Sequence, residues 1–358
     1  MANKIIGTTD ASGGISVVSN SSRSVLLVGV GTDTTKEVVF EIAGTTIAAS
    51  HFGANAPFVS IVKTLIRNGV NNIKGICVGE YGESKPYATA ADAYNAAYAK
   101  SMIYEDIRCI LLDSTDSTLN TGLKAHLAAA EGENLFRYAA VGCPAATNTT
   151  TAVKTLATAI SSNRMFIAYP NVVNDVGIVL DGIYTAAGIA SVLMTKTDDP
   201  ALPSNGVVID GFGGIATKLL TEEQVDLASA GVIALYPENT QPAIYRMVTS
   251  AQKIDGKEDI YHEATTRLIC DNVLESVEAK LKANYKRTKN VARVINSIKT
   301  DVIGVLNEKN GLEIIQNFDS TTVSVIKDPA DNYGALVDYE FQIVTPLYTI
   351  SITQHMKV

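Results

Sequence analysis

Between Val25 and Pro170 short runs of continuously apolar residues alternate with stretches of helical length. This alternation constrains the fold more than any other feature of the chain. The runs are VLLVGV (25–30), VVFEIAG (38–44), IKGICVG (73–79), IRCILLD (107–113), YAAVGC (138–143) and MFIAYP (165–170). Stretches near 57–68, 88–102, 119–131 and 150–162 separate them, the first ended by Asn68-Gly69. Strands apolar on both faces and joined through helices belong to a parallel sheet buried on both sides. The spacing therefore predicts an α/β body, a mostly parallel sheet covered by helices. The loop TDDPALPSNG (197–206), with two prolines and a Ser-Asn-Gly turn, marks a long excursion or a boundary. The pattern resumes with TEEQVDLASAG (221–231), where Thr221 with Glu223 and Gln224 reads as a helix cap, and with GVIALYP (231–237).

The last hundred residues follow different periods. Ile269, Val273, Val277, Leu281 and Tyr285 form an i+4 row on one helix. Val291, Val294, Ile295, Ile298, Val302 and Val305 line a second, which Asn310-Gly311 stops. Tyr333, Ala335, Val337, Tyr339, Phe341 and Ile343 then alternate with polar residues as a long strand. After Pro346 the alternation returns as Tyr348, Ile350 and Ile352. A terminal strand needs a partner, either its own sheet or a neighbour's. At the other end, residues 1–23 are mostly Gly, Ser, Thr, Asn and Asp, with Ile5-Ile6, Ile15 and Val17-Val18 as short β-branched groups. Such a segment buries too little to fold alone and reads as an extended arm. The expected organisation is an arm at 1–23, a body at 24–250 with candidate sub-boundaries near 85 and 200, an α+β domain at 251–345 and an arm at 346–358.

The 358 residues suggest two or three domains, and 46% hydrophobic with 18% charged residues is a folded composition. A net charge of −8 argues against nucleic acid as a partner. Cys77, Cys109, Cys143 and Cys270 form no CxxC pair, and the first three sit in or beside apolar runs, as small buried hydrophobes do. The N-terminus lacks a signal-peptide pattern and no run reaches the roughly 18 apolar residues of a membrane helix, so a cytoplasmic protein without membrane insertion is expected.

An α/β sheet invites a search for catalysis or nucleotide binding. Gly29-Val30-Gly31 follows a strand, but the third glycine of a dinucleotide loop and its helix start are missing. Gly211, Gly213 and Gly214 form a second glycine-rich turn without the Lys and Ser/Thr of a phosphate loop. His51, His126, His262 and His355 are scattered and read as solvated or capping residues rather than ligands. GxSxG is absent. No catalytic residue, metal or cofactor is expected. The alternative, an α/β enzyme or nucleotide-binding protein without a recognisable motif, would place its ligand at one of the two glycine turns.

The segments VLLVGVG (25–31), GLKAHLAA (122–129), RYAAVGCP (137–144), MFIAYPN (165–171) and LASAGVIAL (227–235) occur in an order and spacing similar to those of contractile phage tail sheath proteins, which resemble R-type bacteriocin sheaths. Gly142-Cys143-Pro144 matches the turn of the sheath α/β domain, and the two C-terminal helices with their strands resemble the family's assembly domain. Two departures stand out. Gly13-Gly14-Ile15-Ser16-Val17 replaces the Pro-Gly-Val start of many sheath N-termini, and the extra domains of larger sheaths are absent or reduced.

The resemblance implies a subunit that polymerises helically around an inner tail tube and contracts, with extended N- and C-terminal arms lending strands to neighbours. Strand exchange then falls to Ile15, Val17, Val18, Tyr348, Ile350 and Ile352. Lys280, Lys282, Lys286, Arg287, Lys289 and Arg293 cluster where no acidic residue occurs from 279 to 300. They are either a solvated helix end or a contact with an acidic tube face. Expected partners are copies of the chain, the tube protein, and baseplate and tail terminator proteins. Assembly is expected in the host cytoplasm, and the mature place is the virion tail or a bacteriocin particle.

Overall fold

A computed structural model describes residues 23–195, 199–252, 259–331 and 333–348. The body runs β1 (Ser24–Gly29), β2 (Val39–Glu41), α1 (Thr45–Phe52), α2 (Pro57–Arg67), β3 (Ile73–Cys77), α3 (Ala90–Ser101), β4 (Ile107–Leu112), α4 (Leu119–Gly132), β5 (Tyr138–Val141), α5 (Thr150–Ile160) and β6 (Met165–Tyr169). It continues with β7 (Val172–Val173), α6 (Gly182–Thr195), β8 (Gly214–Ile215), α7 (Thr221–Ser229), β9 (Ile233–Glu238) and β10 (Gln241–Ile244). The C-terminal part comprises α8 (Ala264–Tyr285), α9 (Ala292–Gly311), β11 (Ile315–Gln316), β12 (Ser324–Lys327), β13 (Ala335–Asp338) and β14 (Gln342–Ile343).

The expected α/β architecture is present. One eight-stranded sheet has the order β10-β9-β6-β5-β4-β1-β3-β2. Its inner strands are parallel, and only β2 and β10, at the edges, run antiparallel to their neighbours. Successive residues of each inner strand feed opposite layers. Val25, Leu27, Cys109, Leu111, Phe166 and Ile233 face α1, α2 and α6, whereas Leu26, Val28, Ile110, Leu112, Ile167 and Ala234 face α3, α4, α5 and α7. Burial of both faces is why the strands carry continuous rather than alternating apolar runs.

Helix α6 has no counterpart in the sequence reading. It is buried almost all round and lies across β4, β5 and β6, so it lacks the polar face that gives a 3.6-residue signal. Its first residue explains the Gly142-Cys143-Pro144 turn. A Cβ on Gly142 would lie 2.2 Å from the carbonyl carbon of Gly182, and one on Gly182 would lie 2.3 Å from the oxygen of Cys143. Two glycines thus let the end of β5 and the start of α6 meet backbone to backbone. The segment after 197–206 then closes the edge of the sheet: Ile244 donates to Val207 O at 3.0 Å and Ile209 to Pro242 O at 2.8 Å.

Two local expectations need correction. Leu220, not Thr221, is the residue before α7, and its N–H is accepted by Glu223 Oε2 at 2.8 Å. The strand expected over 333–343 is two strands. β13 pairs with β12 and β14 with β11, in separate two-stranded sheets. Between them Tyr339 and Phe341 turn onto the core that α8 and α9 share, so the alternation reflects two packings in series. That core contains Ile269, Val273, Val277, Leu281, Val302 and Val305, the two helical rows read from the sequence.

Gly142→Ala and Gly182→Ala should each lower stability by about 1–3 kcal/mol, because the added methyl meets backbone that cannot rotate away. Urea unfolding of the two variants measures this; wild-type midpoints would contradict the close approach.

Candidate assembly surfaces

At the carboxyl ends of the strands a doubly wound sheet offers a crevice where its order reverses, and ligands of such folds bind there. Here that point lies between β1 and β4. The chain fills it itself. Asp113, just beyond β4, accepts the Val30 N–H at 2.7 Å and the Tyr94 hydroxyl, and burial pushes its carboxyl above the ordinary range. A Cβ on Gly29 would lie 2.4 Å from Asp113 Cγ, and one on Gly31 would lie 2.2 Å from Cys77 Sγ. The second glycine turn is equally crowded, with Asn174 O 2.3 Å from the Cβ position of Gly213. Packed protein holds Gly29, Gly31 and Gly213 to glycine, whereas Gly211 and Gly214 have positive φ, 99° and 147°.

Among the described residues Cys77, Cys109 and Cys143 are buried and Cys270 is half-buried. Burial raises the thiol pKa of Cys77 to about 11 and that of Cys109 to about 12, well away from a reactive thiolate. His262 places its ring nitrogens 3.0 and 2.9 Å from the carbonyls of Ala251 and Ala228. His126 departs from the expected solvated or capping role. It is buried against Arg137, and desolvation with that charge lowers its pKa to about 4. His51 meets Asp33 and stacks on Phe40, and His355 lies outside the described residues. Among the described residues no three His, Cys, Asp or Glu side chains gather as a metal site, and no helix is long and apolar enough to cross a membrane.

The amino ends of the strands hold the densest polar contacts. Arg108 and Arg164 stand there beside Tyr138, and Glu131 comes from the end of α4. Into this group α8 inserts Asp271, whose side chain is 1% exposed. Arg164 binds it bidentately, Nη1 to Oδ2 at 2.8 Å and Nη2 to Oδ1 at 3.1 Å. Arg267 adds a contact of 2.6 Å, and the Tyr138 hydroxyl donates as well. Glu131 links Arg164 Nε, at 2.9 Å, to Arg267, at 2.6 Å. Glu275 accepts from both Arg108 and Arg23. Burial alone would raise the Asp271 carboxyl, but the guanidinium groups of Arg164, Arg267 and Arg108 more than reverse this and hold it below the carboxylate range. Glu131 is lowered in the same way, burial being outweighed by Arg164 and then Arg267. This cluster fastens α8 to the sheet, and the sequence reading missed it. Its signal was there: Arg267, Asp271 and Glu275 recur at i+4 beside the apolar row.

Lys280, Lys282, Lys286, Arg287, Lys289 and Arg293 are all exposed, at the end of α8, in the turn and at the start of α9. Lys282 pairs with Glu278 at 2.6 Å. Of the residues assigned to strand exchange, Ile15, Val17, Val18, Ile350 and Ile352 lie outside the described residues. Tyr348 docks on its own chain, donating to Glu263 Oε2 at 2.7 Å with its ring 4.9 Å from the Arg246 guanidinium.

Residues 257–357 match the phage tail sheath C-terminal domain family. The fold of the remainder agrees: the sheath tail protein from Desulfitobacterium hafniense superposes with a TM-score of 0.69 at 10% identity, covering 95% of this chain and 96% of that one. The sheath tail protein from Listeria innocua gives 0.69 at 12% identity, over 93% and 96%. The helical sheath of the anti-feeding prophage in its contracted state gives 0.66 at 14% identity, over 99% and 100%. No curated protein sequence matches the chain. The sheath fold therefore extends through both the α/β body and the C-terminal domain.

Replacing Asp271 by Asn should cost about 3–5 kcal/mol at pH 7, since it leaves buried guanidinium groups without their counter-charge. Because the Asp271 and Glu131 pKa values are depressed in the folded state, their contribution is complete above the unfolded carboxylate pKa, about 4, and is lost as pH falls through the folded values. Thermal melts between pH 7 and pH 2 should show this acid loss, with a shallower slope in Asp271→Asn. Parallel slopes would remove these carboxylates from the acid limb.

Proposed function

We propose that the chain is a structural, non-catalytic subunit of a contractile tail sheath. It polymerises helically around an inner tube and contracts to drive the tube through a target envelope. The sheath C-terminal domain match over 257–357 carries this reading, joined to a whole-chain fold shared with a contracted helical sheath. The filled crevice between β1 and β4 counts against the nucleotide-binding alternative. Further partners are the tube protein, the baseplate and a tail terminator. Assembly takes place in the host cytoplasm, and the mature subunit belongs to the particle's tail.

We assign the body to 24–250 and the assembly domain to 251–345. Support for strand exchange comes from the two small sheets. β11–β14 and β12–β13 are two-stranded, so each has outer edges able to take a further strand. Donors would be Ile15, Val17 and Val18 on one side and Ile350 and Ile352 on the other. Tyr348 marks the root of the C-terminal arm, since it is held by Glu263 and Arg246 of its own chain. Support for the tube contact is the exposure of the basic residues from Lys280 to Arg293. Such contacts are screened and weak one by one, which suits an attachment that contraction must break.

Deleting residues 349–358 should leave the melting temperature of the subunit unchanged and abolish polymers in electron micrographs. Normal polymers from the truncated chain would end the strand-exchange assignment. Separately, Lys286→Glu with Arg287→Glu should abolish co-assembly on tubes while leaving the fold intact; unchanged decoration of tubes would remove the basic patch from that role.

A further inference from the structure

Four charged residues recur at four-residue spacing along the head of α8: Glu263, immediately before the helix, then Arg267, Asp271 and Glu275. Side chains four apart lie over one another on a helix, so the four form one slowly winding row. Each end of the row holds a different end of the described chain. Glu275 accepts from Arg23, the residue that precedes β1, and the Arg23 side chain is only 10% exposed. Glu263 accepts from Tyr348 at 2.7 Å and pairs with Arg246, over which the tyrosine ring lies. Between them Arg267 and Asp271 bind Glu131 and Arg164 of the body. The twelve residue steps from Glu263 to Glu275 span about 18 Å at helical rise.

Each anchor lies between a chain end and a vulnerable element, Arg23 next to β1 and Tyr348 five residues beyond β14. Arg23 is followed at once by β1, the strand between β4 and β3, so a pull on the preceding segment would act on the middle of the large sheet. Tyr348 follows β14, which is two residues long and paired only with β11. A pull from beyond Tyr348 would peel that strand residue by residue.

We propose that α8 is a tension strut: Arg23 on Glu275 and Tyr348 on Glu263 anchor the two terminal segments, so tension passes between them through one helix, with Asp271 tying that helix to the body. The strands β1 and β14 are thereby relieved of the load. This deepens the strand-linked sheath reading and rests on it.

The test uses polymers of the full chain, sheared under fixed conditions and measured by electron microscopy. Tyr348→Phe keeps the ring on Arg246 and loses the hydroxyl, whereas Tyr348→Ala loses both. All three proteins should form polymers in equal yield, with unchanged melting of the free subunit. After shear, break frequency should rise from wild type through Tyr348→Phe to Tyr348→Ala. The alanine variant should break about tenfold more often, the factor that corresponds to about 1.4 kcal/mol of lost anchoring. Equal break frequencies in the three polymers would overturn the strut. So would a lowered melting temperature of free Tyr348→Phe, since the contact would then serve the subunit core. A wild-type chain that forms no polymer would instead overturn the sheath reading itself.

Discussion

Asp271 is a carboxylate taken wholly out of water, and it exists there as an anion only because Arg164, Arg267 and Tyr138 meet it from three directions. Such a cluster adds little net stability compared with apolar packing, yet it is intolerant of losing a member. What it adds is position. Apolar surfaces slide over one another at small cost, whereas a bidentate guanidinium–carboxylate contact fixes both distance and orientation. Through it the C-terminal helices take a single place beneath the sheet, and the small sheets that pack on them take theirs.

The sheet illustrates the opposite use of the same materials. A doubly wound α/β fold ordinarily keeps a crevice at its reversal point for a ligand. In this chain Asp113, Tyr94 and Phe58 close it, and the glycines of the turn permit that closure. The fold has kept the rigidity of a layered α/β protein and given up the pocket. That suits the mechanical work proposed for the chain, where a solvent-filled crevice between central strands would be a point of compliance.

Much of this was legible in the sequence, and the parts that were not share a cause. The inner strands announced themselves because burial on both faces forces unbroken apolar runs, and the α8 and α9 rows because each helix has one apolar stripe. Helix α6 gave no period because it has hardly any solvent face, and the break between β13 and β14 was hidden because Tyr339 and Phe341 keep the alternation while changing partners. The charged row on α8 could be counted, but spacing alone does not tell a solvated face from a buried one. Only Arg108 in β4 and Arg164 just before β6, more than a hundred residues away, decide it. The exposed basic stretch was readable for the converse reason, since it needs no distant partner to be what it is.

Neither outer strand of the large sheet is a long open edge. β2 is three residues long, ends in a glutamate paired with Lys74 and runs antiparallel, while β10 is covered by residues 206–209. Exposed strand edges are the usual route by which crowded β-containing proteins stick to one another at random. In the sheath reading proposed above, strand pairing among the described residues then falls to the short two-stranded sheets β7–β8, β11–β14 and β12–β13. Association is thereby restricted to a few backbone addresses, and an ordered lattice can outcompete amorphous aggregation.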